Sequence, residues 1–136
     1  MSVVVARPRL VRWLRPFALV ILAVTGVLGL WNGVSDLGVV AAGWPRAIAA
    51  GDATYGALGL GALAATLLRR ALARPLAAAW GVMVIAVATA APVVYAEETG
   101  WALWLGALVG GAATALIAWG VWLGVAARDR EEGRLT

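Results

Sequence analysis

Four uncharged apolar stretches divide the chain: residues 17–34 (FALVILAVTGVLGLWNGV), 53–68 (ATYGALGLGALAATLL), 76–95 (LAAAWGVMVIAVATAAPVVY) and 102–127 (ALWLGALVGGAATALIAWGVWLGVAA). Roughly 17–25 residues of helix cross the hydrocarbon of a bilayer, so the first, third and fourth qualify directly. The second is the shortest and richest in glycine, and becomes adequate if Asp52 and Arg69 lie at the two interfaces. Lipid offers the backbone no hydrogen-bond partners, so each span must be helical despite its glycines and β-branched residues. The expected fold is all-α: an integral membrane four-helix bundle, up-down-up-down, over residues 17–127. A basic amphipathic arm (1–16) precedes it and a short tail (128–136) follows.

The connections refine this outline. Residues 36–52 are the longest, and their middle, 39–50 (VVAAGWPRAIAA), is too apolar for a free loop. It is expected to lie on the outer leaflet or to extend the first helix, with Trp44 at headgroup depth and Pro45 marking a turn or a new helix start. The segment Glu97-Glu98-Thr99-Gly100 reads as a tight turn that makes spans three and four antiparallel neighbours, and 69–75 is short enough to pair spans two and three. In the arm, Arg9, Arg12 and Arg15 recur every third position opposite Leu10, Trp13 and Leu14. On a helix this gives a cationic face that would contact anionic lipid. Plain topogenic charge explains the arginines equally well. Pro16 is expected to separate the arm from the first span.

Composition agrees with the membrane reading. The 136 residues are 63% hydrophobic and 13% charged, with a mean hydropathy of +0.91. Soluble domains run at about 45–50% apolar and about 25% charged, and disordered chains are poorer still in apolar residues. Without cysteine or histidine, no disulfide, thiolate metal site, iron–sulfur cluster or imidazole-ligated metal or haem can form. Any cofactor is otherwise unspecified.

All eleven basic residues are arginine, and the pI is near 11.1. They cluster at the ends of apolar stretches and form no continuous basic face, so nucleic acid is not the expected partner. Arg7, Arg9, Arg12, Arg15, Arg69, Arg70, Arg74, Arg128, Arg130 and Arg134 fall on one side of the expected topology, and Arg46 alone on the other. By the positive-inside rule both termini are cytoplasmic, which an even number of spans also requires. A cleaved signal peptide, cut near Ala41-Ala42-Gly43 or Ala49-Ala50-Gly51, is the competing reading, but the first apolar run is too long for its core. The alanine–arginine bias points to a bacterial inner membrane.

Candidate chemistry is sparse. None of the four stretches contains Asp, Glu, Lys, Arg or His, the residues that mark proton relays and ion pathways in membranes. The chain is similar in size and span number to the small multidrug-resistance transporters. Those depend on a buried glutamate in the first span, and residues 17–34 contain no acid. Asn32, Asp36, Arg46, Asp52 and Tyr55 could gather into one outer polar cluster. As a site it would bind a small polar ligand; as structure, which is preferred, Asp36 and Asp52 cap helices and Arg46 neutralises one of them. With no general base and no metal-ligand set, no enzymatic activity is expected.

Glycine spacing says more. Gly29 and Gly33, Gly106 and Gly110, and Gly120 and Gly124 each form GxxxG, and Gly106, Gly110, Thr114 and Ala118 share one stripe. Such a stripe is a smooth groove for another helix, of this chain or a different one. Of the eight tryptophans, Trp13, Trp31, Trp44, Trp101, Trp104 and Trp122 fit interfacial belts. Trp80 and Trp119 lie deeper, where they pack against neighbours or lipid or face a pigment or quinone. Pro92 frees the carbonyl of Ala88, which predicts a kink or a substitute bond from Thr89. The expected role is a non-enzymatic membrane subunit that packs against other transmembrane helices and contacts anionic lipid on the cytoplasmic side. The alternative is a small homo-oligomeric channel or transporter.

Overall fold

A computed structural model describes residues 2–40, 42–95 and 101–135, with side chains over 12–40, 42–95 and 103–127. The described residues form four α-helices: α1 (Ser2–Leu37), α2 (Trp44–Leu67), α3 (Ala73–Val94) and α4 (Trp101–Leu135). Among the described residues, three segments are long and apolar enough to cross a membrane: Arg12–Leu37, Ala73–Val94 and Leu103–Ala127, with mean hydropathies of 2.0, 2.0 and 1.8. At 24 residues α2 is long enough, but Asp52, Thr54, Tyr55 and its glycines dilute its apolar character. The turn at 97–100 and the side chain of Arg9 lie outside the described residues.

Two boundaries differ from the sequence expectation. Pro16 does not divide the arm from the span, because α1 is continuous from Ser2 to Leu37. A proline inside a helix removes one hydrogen bond and crowds the preceding turn, and here the helix continues through it. The second helix starts at Trp44, well before the charge-free stretch, with Pro45 in its first turn, where a missing N–H costs nothing. Residues 44–50 are therefore helical and do not lie as an apolar connection. The reversal before them uses Gly43 at φ 120°, a conformation open mainly to glycine.

The far end of α2 closes differently. The amide of Arg70 donates to the Ala65 carbonyl at 2.8 Å and that of Arg69 to the Thr66 carbonyl at 3.3 Å. Arg69 sits at φ 55°. This is a Schellman closure with an arginine at the left-handed position usually given to glycine.

Helix α1 packs on α2 and α4, and α3 packs on the same two. Small residues allow the approach. A methyl group at Gly33 would strike the backbone nitrogen of Ala53, one at Gly56 the backbone nitrogen of Leu30, and one at Gly29 the ring of Tyr55. On the other flank of α1, a methyl at Gly124 would lie 2.5 Å from the carbonyl oxygen of Leu14. The core they enclose is alanine-rich: Trp80, Leu22 and Val121 are its largest fully buried side chains, set among Ala18, Ala62, Ala77 and Ala118.

Candidate functional site

Three places in the fold could do chemistry or bind. The first is the outer polar cluster, which the structure rearranges. Asp52 is not a helix cap. It lies inside α2, roughly 12 Å from the start at about 1.5 Å per residue, while the N-cap is Gly43 with no side-chain bond. Asp36 lies in the last turn of α1, the end where a negative charge opposes the helix dipole. The capping reading therefore fails for both aspartates. The Tyr55 hydroxyl instead donates to the Asp52 carboxylate, one turn away on the same face, and Asp36 acts on it electrostatically from α1.

Arg46 is exposed and, among the described residues, makes no ion pair with either aspartate. Its six-residue separation from Asp52 places the two side chains about 120° apart around the helix at 3.6 residues per turn. Asn32 is exposed one turn before Asp36. Of the five expected members, Asp36, Asp52 and Tyr55 come together.

The second place is an apolar groove of about 850 Å³ between the start of α2 and the end of α3, bounded by Trp44, Pro45, Ala86, Thr89, Ala90 and Val93. Its size falls in the range of roughly 300–1,000 Å³ typical of small-molecule sites. Thr89 lies on its wall, with its hydroxyl donating to the Ile85 carbonyl at 2.7 Å. The expected bond to the carbonyl freed by Pro92 is therefore not made. That carbonyl, of Ala88, instead faces Gly110 of α4, and Thr89 faces Gly111. The other helical threonines behave alike: Thr25, Thr54, Thr66 and Thr114 each donate to the carbonyl four residues earlier. Hydroxyls committed to their own backbone make a poor lining for an ion path.

The third place is the outward face of α2. Ala47, Ala50, Thr54, Ala57 and Ala64 are all exposed along it. By contrast α1 presents Val20, Val24, Val27 and Leu28 outward, and α4 presents Leu105, Leu108, Leu116 and Ile117.

The expected helix-packing glycines divide. Gly29, Gly33 and Gly124 are consumed by contacts within the chain, and Gly120 approaches Phe17. Gly110 makes only ordinary contact with α3, and Gly106 has open space around it. Thr114 is half-buried and Ala118 is buried against Gly81. Gly26, Gly56, Gly59 and Gly111 also carry close contacts that a GxxxG search overlooks. Gly26 and Gly29, or Gly56 and Gly59, share a face at a spacing of three, which such a search would have caught had it admitted i, i+3.

Trp80 is fully buried beside Gly59, and its indole N–H has no partner. Trp119 is 62% exposed on the outer surface of α4. Neither lines the groove. Comparison with protein-family models, with curated proteins and with solved structures finds no match to this chain.

Proposed function

We propose that this chain is a non-enzymatic integral membrane subunit, with four helices alternating up and down and both termini on the cytoplasmic side of a bacterial inner membrane. In this reading it packs against the transmembrane helices of a larger assembly. The outward face of α2 carries the proposal. Helices that face lipid bear large apolar side chains, as α1 and α4 do, whereas small residues let a neighbouring backbone approach closely. A helix less apolar than the spanning segments of its three companions, with alanines and a threonine outward, is better suited to protein than to acyl chains. The alternation of direction is supported by the order of contacts: Gly33 meets Ala53, Gly29 meets Tyr55 and Gly26 meets Leu60, so one helix ascends as the other descends. The neighbouring groove between α2 and α3 would hold a lipid chain, quinone or pigment at the same interface.

Purification from native membranes in mild detergent is expected to recover further membrane chains. Ala57→Phe, on an exposed position of α2, is expected to release them without lowering the unfolding temperature. A lone monomer, or partners retained in full by Ala57→Phe, would refute the reading.

A second reading, a small homo-oligomeric channel or transporter, draws on Asp52. An acid inside a membrane helix is a default marker of ion or proton handling. Cation flux through the reconstituted protein, abolished by Asp52→Asn, would favour it.

A further inference from the structure

The end of the bundle opposite Asp36 gathers positive charge from two segments far apart in sequence. At this end the Leu14 carbonyl faces Gly124 of α4, and Arg74 Nη2 donates to the Ala126 carbonyl of α4 at 3.3 Å. These contacts bring Arg12 and Arg15 of α1 to the same end as the Arg69–Arg74 connection. Arg12, Arg69 and Arg70 are exposed and Arg15 is half-buried. Both aspartates with described side chains, Asp36 and Asp52, belong to the other end. In the tail, Arg128, Arg130 and Arg134 are balanced in sequence by Asp129, Glu131 and Glu132.

Directly beside these arginines stand large exposed apolar side chains: Leu67 (59%), Leu68 (68%) and Leu72 (64%) around the α2–α3 connection, and Trp13 (76%) and Phe17 on α1. Charge above and hydrocarbon below is the chemistry of a phospholipid, whereas a free anion has no use for the leucines. Arg69 adds a separate observation. It occupies a left-handed position that is costly for any residue with a Cβ and is commonly filled by glycine. An outlier of this kind prompts a search for what the side chain does.

We propose that Arg12, Arg15, Arg69 and Arg70 form a collar that binds the phosphate headgroup of an anionic phospholipid, its chains lying along Leu67, Leu68 and Leu72. Sequence alone places the cationic contact on the N-terminal arm; the fold adds the α2–α3 connection and makes a two-sided site. Basic clusters at the cytoplasmic ends of membrane helices recognise anionic headgroups in this way. The collar rests on the membrane topology proposed above but not on a partner subunit, so loss of lipid preference and loss of partner chains are separate failures.

The test is native mass spectrometry of the delipidated full chain in mild detergent, titrated with phosphatidylglycerol or with phosphatidylcholine of the same acyl chains. Phosphatidylglycerol is expected to bind about tenfold tighter or more. The combined Arg12→Gln, Arg15→Gln, Arg69→Gln and Arg70→Gln variant is expected to lose that preference, and the four corresponding lysine substitutions to keep most of it. Arg46→Gln, at the other end, is expected to change nothing. Arg69→Gly separates headgroup binding from folding: it is expected to weaken phosphatidylglycerol retention without lowering the unfolding temperature. Equal retention of the two lipids, an Arg46→Gln loss as large as that of the combined variant, or full displacement by excess inorganic phosphate would each overturn the proposal. The last would mark a free-anion site.

Discussion

Gly33→Val is expected to separate α1 from α2 and to lower the unfolding temperature in detergent sharply, while Gly106→Ala leaves it unchanged or raises it. Both positions belong to GxxxG pairs and both lie on long apolar helices, so composition does not distinguish them. The difference is what a side chain would meet. At Gly33 even one methyl reaches the backbone nitrogen of Ala53 and lies 2.7 Å from the carbonyl oxygen of Ala49. Backbone cannot rotate aside as a leucine tip can, so the helices must part. Overpacking in a tight core costs about 1–3 kcal/mol and sometimes more, and loss of the close approach removes dispersion contacts along the whole interface. Replacing glycine in a helix recovers only about 0.5–1 kcal/mol. At Gly106 nothing lies within 4 Å, so that recovery stands unopposed. Thermal unfolding of the two variants in one detergent measures the contrast, and equal behaviour would mean that α1 and α2 do not meet at Gly33.

Trp80→Ala should destabilise as strongly, and Trp80→Phe far less. The indole is fully buried within the alanine-rich core, so truncation would leave a cavity there. Truncating a buried tryptophan in a water-soluble core costs about 3–5 kcal/mol. In a bilayer the transfer contribution shrinks, because lipid is as apolar as the core, which places the expectation near the lower end of that range. Phenylalanine keeps most of the ring contacts and removes an N–H that has no acceptor. An unpaired buried donor costs about 1–3 kcal/mol, so its removal offsets the lost volume. If Trp80→Phe proved as damaging as Trp80→Ala, the indole N–H would have to hold an acceptor, as a bound pigment or quinone could supply.

The helices were legible in the sequence because lipid permits few alternatives to a helix, and long apolar runs declare themselves. The start of α2 was legible only in Pro45, which marked a turn or a new helix start that the charge-free stretch left out. A search for charge-free windows stops at Asp52, but a helix does not, and Tyr55 on the next turn supplies the carboxylate with a donor. The same stop made Asp52 a cap, whereas the helix runs through it. Glycine pairs at a spacing of four include Gly29, Gly33 and Gly124, each of which makes a close contact. They could not show that the contacts are internal, since spacing describes one helix and a contact needs two. The depth of Trp80 was ambiguous for a related reason, because α3 is apolar on every side and its buried stripe emerges only against α2 and α4. The groove at Trp44 and Ala90 joins residues from two helices, and the arginine collar joins two distant segments. Neither has a local signature.

Whether α2 crosses the bilayer decides the most, since the small-residue face, the placement of both termini and the arginine collar all require it. The chain has no cysteine, so single cysteines can be introduced at Val39 and Leu72, both exposed and flanking α2, and labelled with a membrane-impermeant maleimide on intact cells. The expected result is that Val39→Cys is labelled from outside and Leu72→Cys only after the membrane is opened. Labelling of both from the same side would leave α2 lying on the surface, put the termini on opposite faces and contradict the four-span bundle.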